Sequence, residues 1–121
     1  CISSVAGRLG DGYRTPYSAT KWAIIGLVKS LAIELGPSGI RANALLPGIV
    51  EGPRMQKVIA DRAAALELSY QDMEQDYLQK ISLRRMVSAQ DVADQAIFLA
   101  SPLGRNISGQ AISICGNVEA L

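Results

Sequence analysis

The longest regular pattern in the chain runs from Tyr17 to Leu35, where Ala23, Ile24, Leu27, Val28, Leu31 and Leu35 recur at helical spacing. Trp22, Ile25, Ala32 and Ile33 widen this stripe beyond one face. The predicted helix therefore has two sides to cover, one against a sheet and one against another helix, such as that of a second subunit. Pro16 stands where a first helical turn tolerates proline, and Gly36-Pro37-Ser38-Gly39 stops the helix.

Shorter apolar runs flank it. Ile2 to Val5 reads as a strand end whose start lies upstream, which makes the chain a fragment of a longer protein; Ile40 to Leu46 reads as a strand ending at Pro47-Gly48, and Gln110 to Cys115 as the last strand. From Gly52 to about Arg85 the pattern turns charged and amphipathic, with helices near Gln56 to Leu66 and, after an N-cap at Ser69, Tyr70 to Lys80. We read 52–82 as an insertion that forms a substrate lid, with Arg54, Met55 and Tyr77 as candidates to reach substrate; the competing reading is an amphipathic cover with solvated charges. Arg84 and Arg85 read as packing residues at a helix approach rather than carboxylate clamps. Ser88-Ala89-Gln90-Asp91 is a capping box that opens a helix to Ala100, and Ser101-Pro102 closes it. About three strands alternating with helices predict an α/β fold with a parallel sheet, short of strands for a complete one.

Composition narrows the chemistry. Twelve basic against eleven acidic residues give a net charge of +1 with no basic stripe, which argues against nucleic acid as a partner. No apolar run approaches the roughly 18 residues of a membrane span. The two cysteines, near opposite ends and without metal-ligand spacing, fit a reducing, cytoplasmic setting. The chain has no histidine, which removes the commonest general base and every Ser-His or Cys-His pair, and leaves no usual zinc shell. Catalysis would have to use tyrosine, lysine, serine or carboxylates.

The stretch SSVAGRLGDGYRTPYSATK concentrates such residues. Its glycines do not make a phosphate cradle: counted from Gly10 and Gly12, the third glycine of G-x-G-x-x-G is replaced by Thr15. They read as the spacing of a turn between strand and helix. Tyr17 and Lys21, four residues apart on a helix, are neighbours on one face. Tyrosine, with a reference pKa of about 10, is a poor base near neutrality, and an adjacent ammonium favours its phenolate. Ser4, thirteen residues before Tyr17, lies at a strand end that parallel topology sets beside the start of that helix, where its hydroxyl could hold a substrate carbonyl. Ser18-Ala19-Thr20-Lys21 also matches the S-x-x-K box of serine acyl-transfer enzymes, but no S-x-N or K-T-G element accompanies it.

Taken together, ISSVAG, YSATK, IRANALLPG, SLRRMVSAQDVADQAIFLAS and ISGQAIS resemble the second half of a short-chain dehydrogenase/reductase over nearly the whole chain outside 52–82. The resemblance implies a Rossmann-type sheet, C-terminal half only, with Cys1–Val5, Ile40–Leu46 and Gln110–Cys115 as its last three strands. It implies an oxidoreductase that uses NAD or NADP to interconvert a carbonyl and a secondary alcohol. Tyr17 would be the general acid/base, Lys21 would favour its phenolate and bind the nicotinamide ribose, and Ser4 would polarise the carbonyl. Pro47 and Gly48 would turn the chain under the nicotinamide, with the Val50 backbone at its carboxamide. Two positions depart from the family pattern: Gly52 stands where a threonine is common, and Cys115-Gly116-Asn117 replaces D-G-G. The family's glycine-rich dinucleotide loop would lie upstream. Expected partners are a small carbonyl or alcohol and a second copy, as homodimer or homotetramer through the Tyr17–Leu35 helix. The alternative from another class is a non-catalytic assembly module that keeps only this helix surface.

Overall fold

Ala44, Leu45 and Leu46 are all buried, and the strand they begin, β1 (Ala44–Pro47), is the centre of the fold. The computed structural model describes residues 1–118. In it β1 pairs in parallel with β2 (Ala111–Ile114), Ala44 opposite Ala111 and Pro47 opposite Ile114. On the other edge of β1, Ile2 makes one parallel bridge to Leu45: the Ser3 N–H donates to the Leu45 carbonyl at 2.7 Å, and the Leu45 N–H to the Cys1 carbonyl at 2.9 Å. Among the described residues four helices complete the regular structure, α1 (Thr15–Leu35), α2 (Pro53–Ala65), α3 (Tyr70–Gln79) and α4 (Ala89–Ala100), with short 3-10 turns at Val5–Gly7, Gly36–Ser38 and Pro102–Gly104.

Two strand expectations need correction. The first strand is a single bridge at Ile2, not Cys1–Val5, because the Ser4 hydroxyl accepts the Ala6 N–H at 3.2 Å and turns the chain into the 3-10 turn at once. β1 starts at Ala44, not Ile40, because side chains serve the backbone there instead of a ladder. The Arg41 guanidinium donates to the carbonyls of Leu99, Gly104 and Ile107 at 2.7, 2.9 and 3.2 Å; the Asn43 amide donates to Ile107 O at 2.8 Å and accepts the Gln110 N–H at 3.0 Å.

Prolines set the helix starts earlier than apolar periodicity does. α1 begins at Thr15 with Pro16 in its first turn, and α2 begins at Pro53 itself, three residues before Gln56, since a proline's missing N–H costs nothing at a helix start. Both predicted caps are present: Ser69 accepts the Asp72 N–H at 3.0 Å, and Ser88 and Asp91 form a reciprocal capping box. The Ser88 N–H and hydroxyl both donate to the Asp91 carboxylate at 2.8 Å, and these bonds, with a smaller pull from Arg85, hold that carboxyl below the usual carboxylate range.

Val28, Ile24 and Ile25 of α1 pack on Ala44 and Leu46, so α1 covers one face of the sheet. Strand alternation turns Leu45 to the opposite face, and α4 lies against both strands. α2 and α3 form a second small core of Ile59, Ala63 and Met73. Away from the sheet, Trp22, Leu27 and Ile33 of α1 are 52%, 54% and 79% exposed, so the second apolar side predicted for this helix has no cover within the described residues.

Candidate active site

Parallel register gathers the predicted residues at one end of the sheet. Ile2, Leu45 and Ile112 sit side by side, and Ser4, Pro47 and Ile114 each follow two residues later in their segments, toward the same end of the sheet. This is the end at which α/β sheets bind ligands. Ser4 is half-buried and still extended, with φ −167° and ψ 163°. Its oxygen accepts the Ala6 N–H, which leaves the hydroxyl proton free to donate to a ligand.

The turn that Ser4 opens packs on α1. Tyr17 and Lys21 occupy the first two turns of that helix, with Tyr17 42% exposed and the Lys21 Nζ 5.6 Å from the centroid of its ring. Such an ammonium–ring contact is worth about 0.5–1 kcal/mol at an exposed site. The same ammonium reaches back to the Ile2 carbonyl at 3.4 Å, two residues before Ser4. Ser18 Oγ is buried and has no hydrogen-bond partner, so the Ser18–Lys21 pair that an S-x-x-K nucleophile requires is not formed.

Pro47 ends β1, and the Gly48 N–H donates to the Ile114 carbonyl at 2.9 Å. A Cβ on Gly48 would lie 2.7 Å from Cys115 Cβ and 2.9 Å from its Cα, so only glycine lets the chain leave β1 this close to the end of β2. Beyond it, Val50 bridges Val87 through bonds made by its neighbours: the Glu51 N–H donates to the Val87 carbonyl and the Val87 N–H to the Ile49 carbonyl, both at 2.9 Å. The N–H and C=O of Val50 itself lie outside this ladder, as a role toward a carboxamide requires. Gly52, in place of the threonine, has φ 142°, a conformation that side-chain-bearing residues rarely adopt. Gly116 and Asn117, in the replaced D-G-G segment, accept the N–H groups of Leu83 and Ser82 at 3.1 and 2.9 Å and so tie the end of β2 to the start of the 82–87 connection.

Elsewhere the predicted roles separate. Tyr17 and Lys21 are brought together, but Tyr77 and Met55 pack on the α2–α3 core, and Tyr77 is flanked by Arg62 and Lys80. Arg54 is exposed on the first turn of α2. Arg84, exposed, donates to the carbonyls of Gln79 and Ile81 at the C-terminal end of α3. Two open clefts, of about 460 and 320 Å³, share Arg85 and Met86; one runs along α4 to Ser113 and Cys115, the other lies under α2 and α3, and neither is lined by Ser4, Tyr17 or Lys21.

Three residues had no role at the site in the sequence reading. Ser3, 4% exposed, donates its hydroxyl to the Lys21 carbonyl at 2.8 Å. Gly7 is a contact rather than a spacer: a Cβ there would lie 2.6 Å from Ser3 Oγ and 2.8 Å from Lys21 O. Arg8 donates to Ala111 O at 2.6 Å and Ser113 Oγ at 3.1 Å, linking the loop after Ser4 to β2. The adjacent serine pair was the only visible signal, because nothing local tells which of two serines faces the helix.

A family model described as enoyl-(acyl carrier protein) reductase matches residues 1–117. The chain belongs to the short-chain dehydrogenase/reductase family. The 3-oxoacyl-[acyl-carrier-protein] reductase FabG of Aquifex aeolicus is 37% identical to it over 117 residues, 97% of this chain and 43% of that one. Sorbitol-6-phosphate 2-dehydrogenase of Escherichia coli K12 is 34% identical over 116 residues, 95% of this chain and 45% of the relative. A variant of actinorhodin polyketide ketoreductase solved with NADPH superposes with a TM-score of 0.89 at 30% identity, covering 99% of this short-chain dehydrogenase/reductase chain and 46% of the ketoreductase. The fold is thus a partial Rossmann-type α/β fold, and the chain spans about half the length of the relatives it matches.

Proposed function

We propose that this chain is the C-terminal, catalytic half of one Rossmann domain in an NAD- or NADP-dependent oxidoreductase that interconverts a carbonyl and a secondary alcohol, with residues 52–82 as a lid over the substrate. The observation that carries the proposal is that Ile2, two residues before Ser4, bridges Leu45, two residues before Pro47, while Lys21, one helical turn from Tyr17, reaches back to the Ile2 carbonyl.

A nicotinamide cofactor supplies or accepts the hydride at the carbonyl carbon. The described residues suit its nicotinamide-ribose end: the Tyr17 hydroxyl and Lys21 ammonium for the ribose, the Val50 backbone for the carboxamide. The glycine-rich loop for the pyrophosphate is not among them. In reduction the Ser4 hydroxyl donates a hydrogen bond to the substrate oxygen and keeps its proton, and Tyr17 transfers its phenolic proton to that oxygen as charge develops there. The Lys21 ammonium stabilises the phenolate that remains. In oxidation the phenolate takes the alcohol proton back.

The exposed Trp22, Leu27 and Ile33 support a second copy of the chain as partner on α1, in a homodimer or homotetramer. The same surface favours the competing reading of an assembly module without catalysis. A reducing, cytoplasmic setting is part of the same proposal. The deciding experiment assays the full-length protein with NADH and NADPH on a ketone panel. Tyr17→Phe is expected to lower kcat by at least about 10²-fold while the cofactor still binds, its Kd raised by no more than the roughly tenfold that one lost ribose hydrogen bond accounts for. Near-normal turnover by that variant would overturn the catalytic reading, and absence of turnover together with absence of cofactor binding in the wild type would favour the assembly module.

A further inference from the structure

Ser3 is the one polar residue that is buried as a whole among the described residues, and it sits between the two halves of the proposed site. A buried hydroxyl is costly unless it is hydrogen-bonded. Its partner is not a neighbour in sequence but the Lys21 carbonyl in the second turn of α1, at 2.8 Å. A carbonyl has two lone pairs, so it can serve the helix ladder and Ser3 together. The Ser3 N–H meanwhile donates to Leu45 O at 2.7 Å, which fixes the residue to β1. Lys21 is therefore tied at both ends to the segment just before Ser4, its carbonyl to Ser3 and its ammonium to Ile2.

The room for this bond comes from Gly7. A Cβ there would meet Ser3 Oγ at 2.6 Å, Lys21 O at 2.8 Å and Lys21 C at 3.0 Å, so any side chain would have to push the turn away from backbone or displace the Ser3 hydroxyl. We infer that Ser3 is a positioning residue: resting on the oxidoreductase proposal, it holds the turn of α1 that carries Tyr17 and Lys21 at a fixed height against Ser4, and Gly7 is the vacancy that admits the contact. Ser3 touches neither substrate nor cofactor in this role. Its effect passes through the Lys21 backbone, and because a catalytic pair misplaced by a fraction of an ångström loses rate more than binding, its loss shows in kcat.

The test uses the full-length enzyme with Ser3→Ala, Ser3→Thr, Gly7→Ala and Gly10→Ala. Ser3→Ala is expected to lower kcat about tenfold with KM for both substrates within about twofold, and Ser3→Thr, which keeps a hydroxyl, to recover most of that loss. Amide exchange at Ala19 to Ala23 should quicken about threefold or more in Ser3→Ala as the second turn of α1 loses its anchor. Gly7→Ala should reproduce the kcat loss or fail to fold, while Gly10→Ala, with open space around it, should match wild type. The inference is overturned if Ser3→Ala keeps both kcat and exchange rates, or if Ser3→Thr recovers nothing and KM rises as much as kcat falls, which marks a general structural role. If the wild type shows no Tyr17-dependent turnover, the oxidoreductase proposal fails instead, and the exchange measurement still decides whether Ser3 holds Lys21.

Discussion

The ammonium of Lys21 stands 5.6 Å from the centre of the Tyr17 ring, one helical turn away on α1. The contact exists because residues four apart share a helix face, and because the Ile2 carbonyl draws the lysine head back toward the sheet end. If its charge supports the phenolate during proton transfer, Lys21→Met should lower kcat by about 10²-fold or more. Residues that act as a unit are not additive, so Tyr17→Phe with Lys21→Met should lose little beyond Tyr17→Phe alone. Steady-state kinetics on the two single variants and the double variant check this; losses that simply multiply would mean that the pair does not act as one device.

The helices and their caps were legible because their signals are local. Ser69 with Asp72 and Ser88 with Asp91 each satisfy amides within one turn of themselves, and the apolar spacing of α1 survives folding. The pair Tyr17 and Lys21 was legible for the same reason. What escaped depends on partners distant in sequence: Ile40 to Asn43 reads as strand, yet Arg41 and Asn43 spend their donors on carbonyls around residues 99 to 107, and Gly7 reads as a flexible spacer until Ser3 and Lys21 arrive beside it. Tyr77 reads as a candidate to reach substrate from the charged, amphipathic 52–82 segment; the structure packs it on the α2–α3 core, which periodicity in so short a helix does not separate from a role at the site.

The approach of Gly48 to Cys115 gives a second prediction, about the sheet end rather than the chemistry. With 2.7 Å between the added Cβ and Cys115 Cβ, Gly48→Ala must part the ends of β1 and β2, at a cost of about 1–3 kcal/mol of overpacking. Cys115→Gly removes one of the two clashing atoms and leaves the other, the backbone α-carbon, at 2.9 Å, so the double variant should recover part of the loss. A double-mutant cycle by urea denaturation measures that coupling. Strict additivity of the two single variants would mean that the strands separate freely there and that Gly48 is not required for their approach.

The capping box of α4 predicts an acid-sensitive contribution to stability. The Asp91 carboxyl is held below the usual carboxylate range first by the Ser88 N–H and then by the Ser88 hydroxyl, with Arg85 adding less and partial desolvation opposing. A carboxyl whose folded value is depressed binds protons less readily when folded, so its contribution is complete above the ordinary value of about 3.9 and is lost as pH falls through the lower, folded one. Wild type should therefore be more stable than Asp91→Asn at pH 7, and the difference should shrink once the pH drops below about 4. Ser88→Ala, which removes the hydroxyl but not the backbone donor, should fall between the two at pH 7. Thermal denaturation of the three proteins at pH 7 and pH 3 decides it: a gap between wild type and Asp91→Asn that is equally wide at both would show that the asparagine loses shape complementarity and not charge.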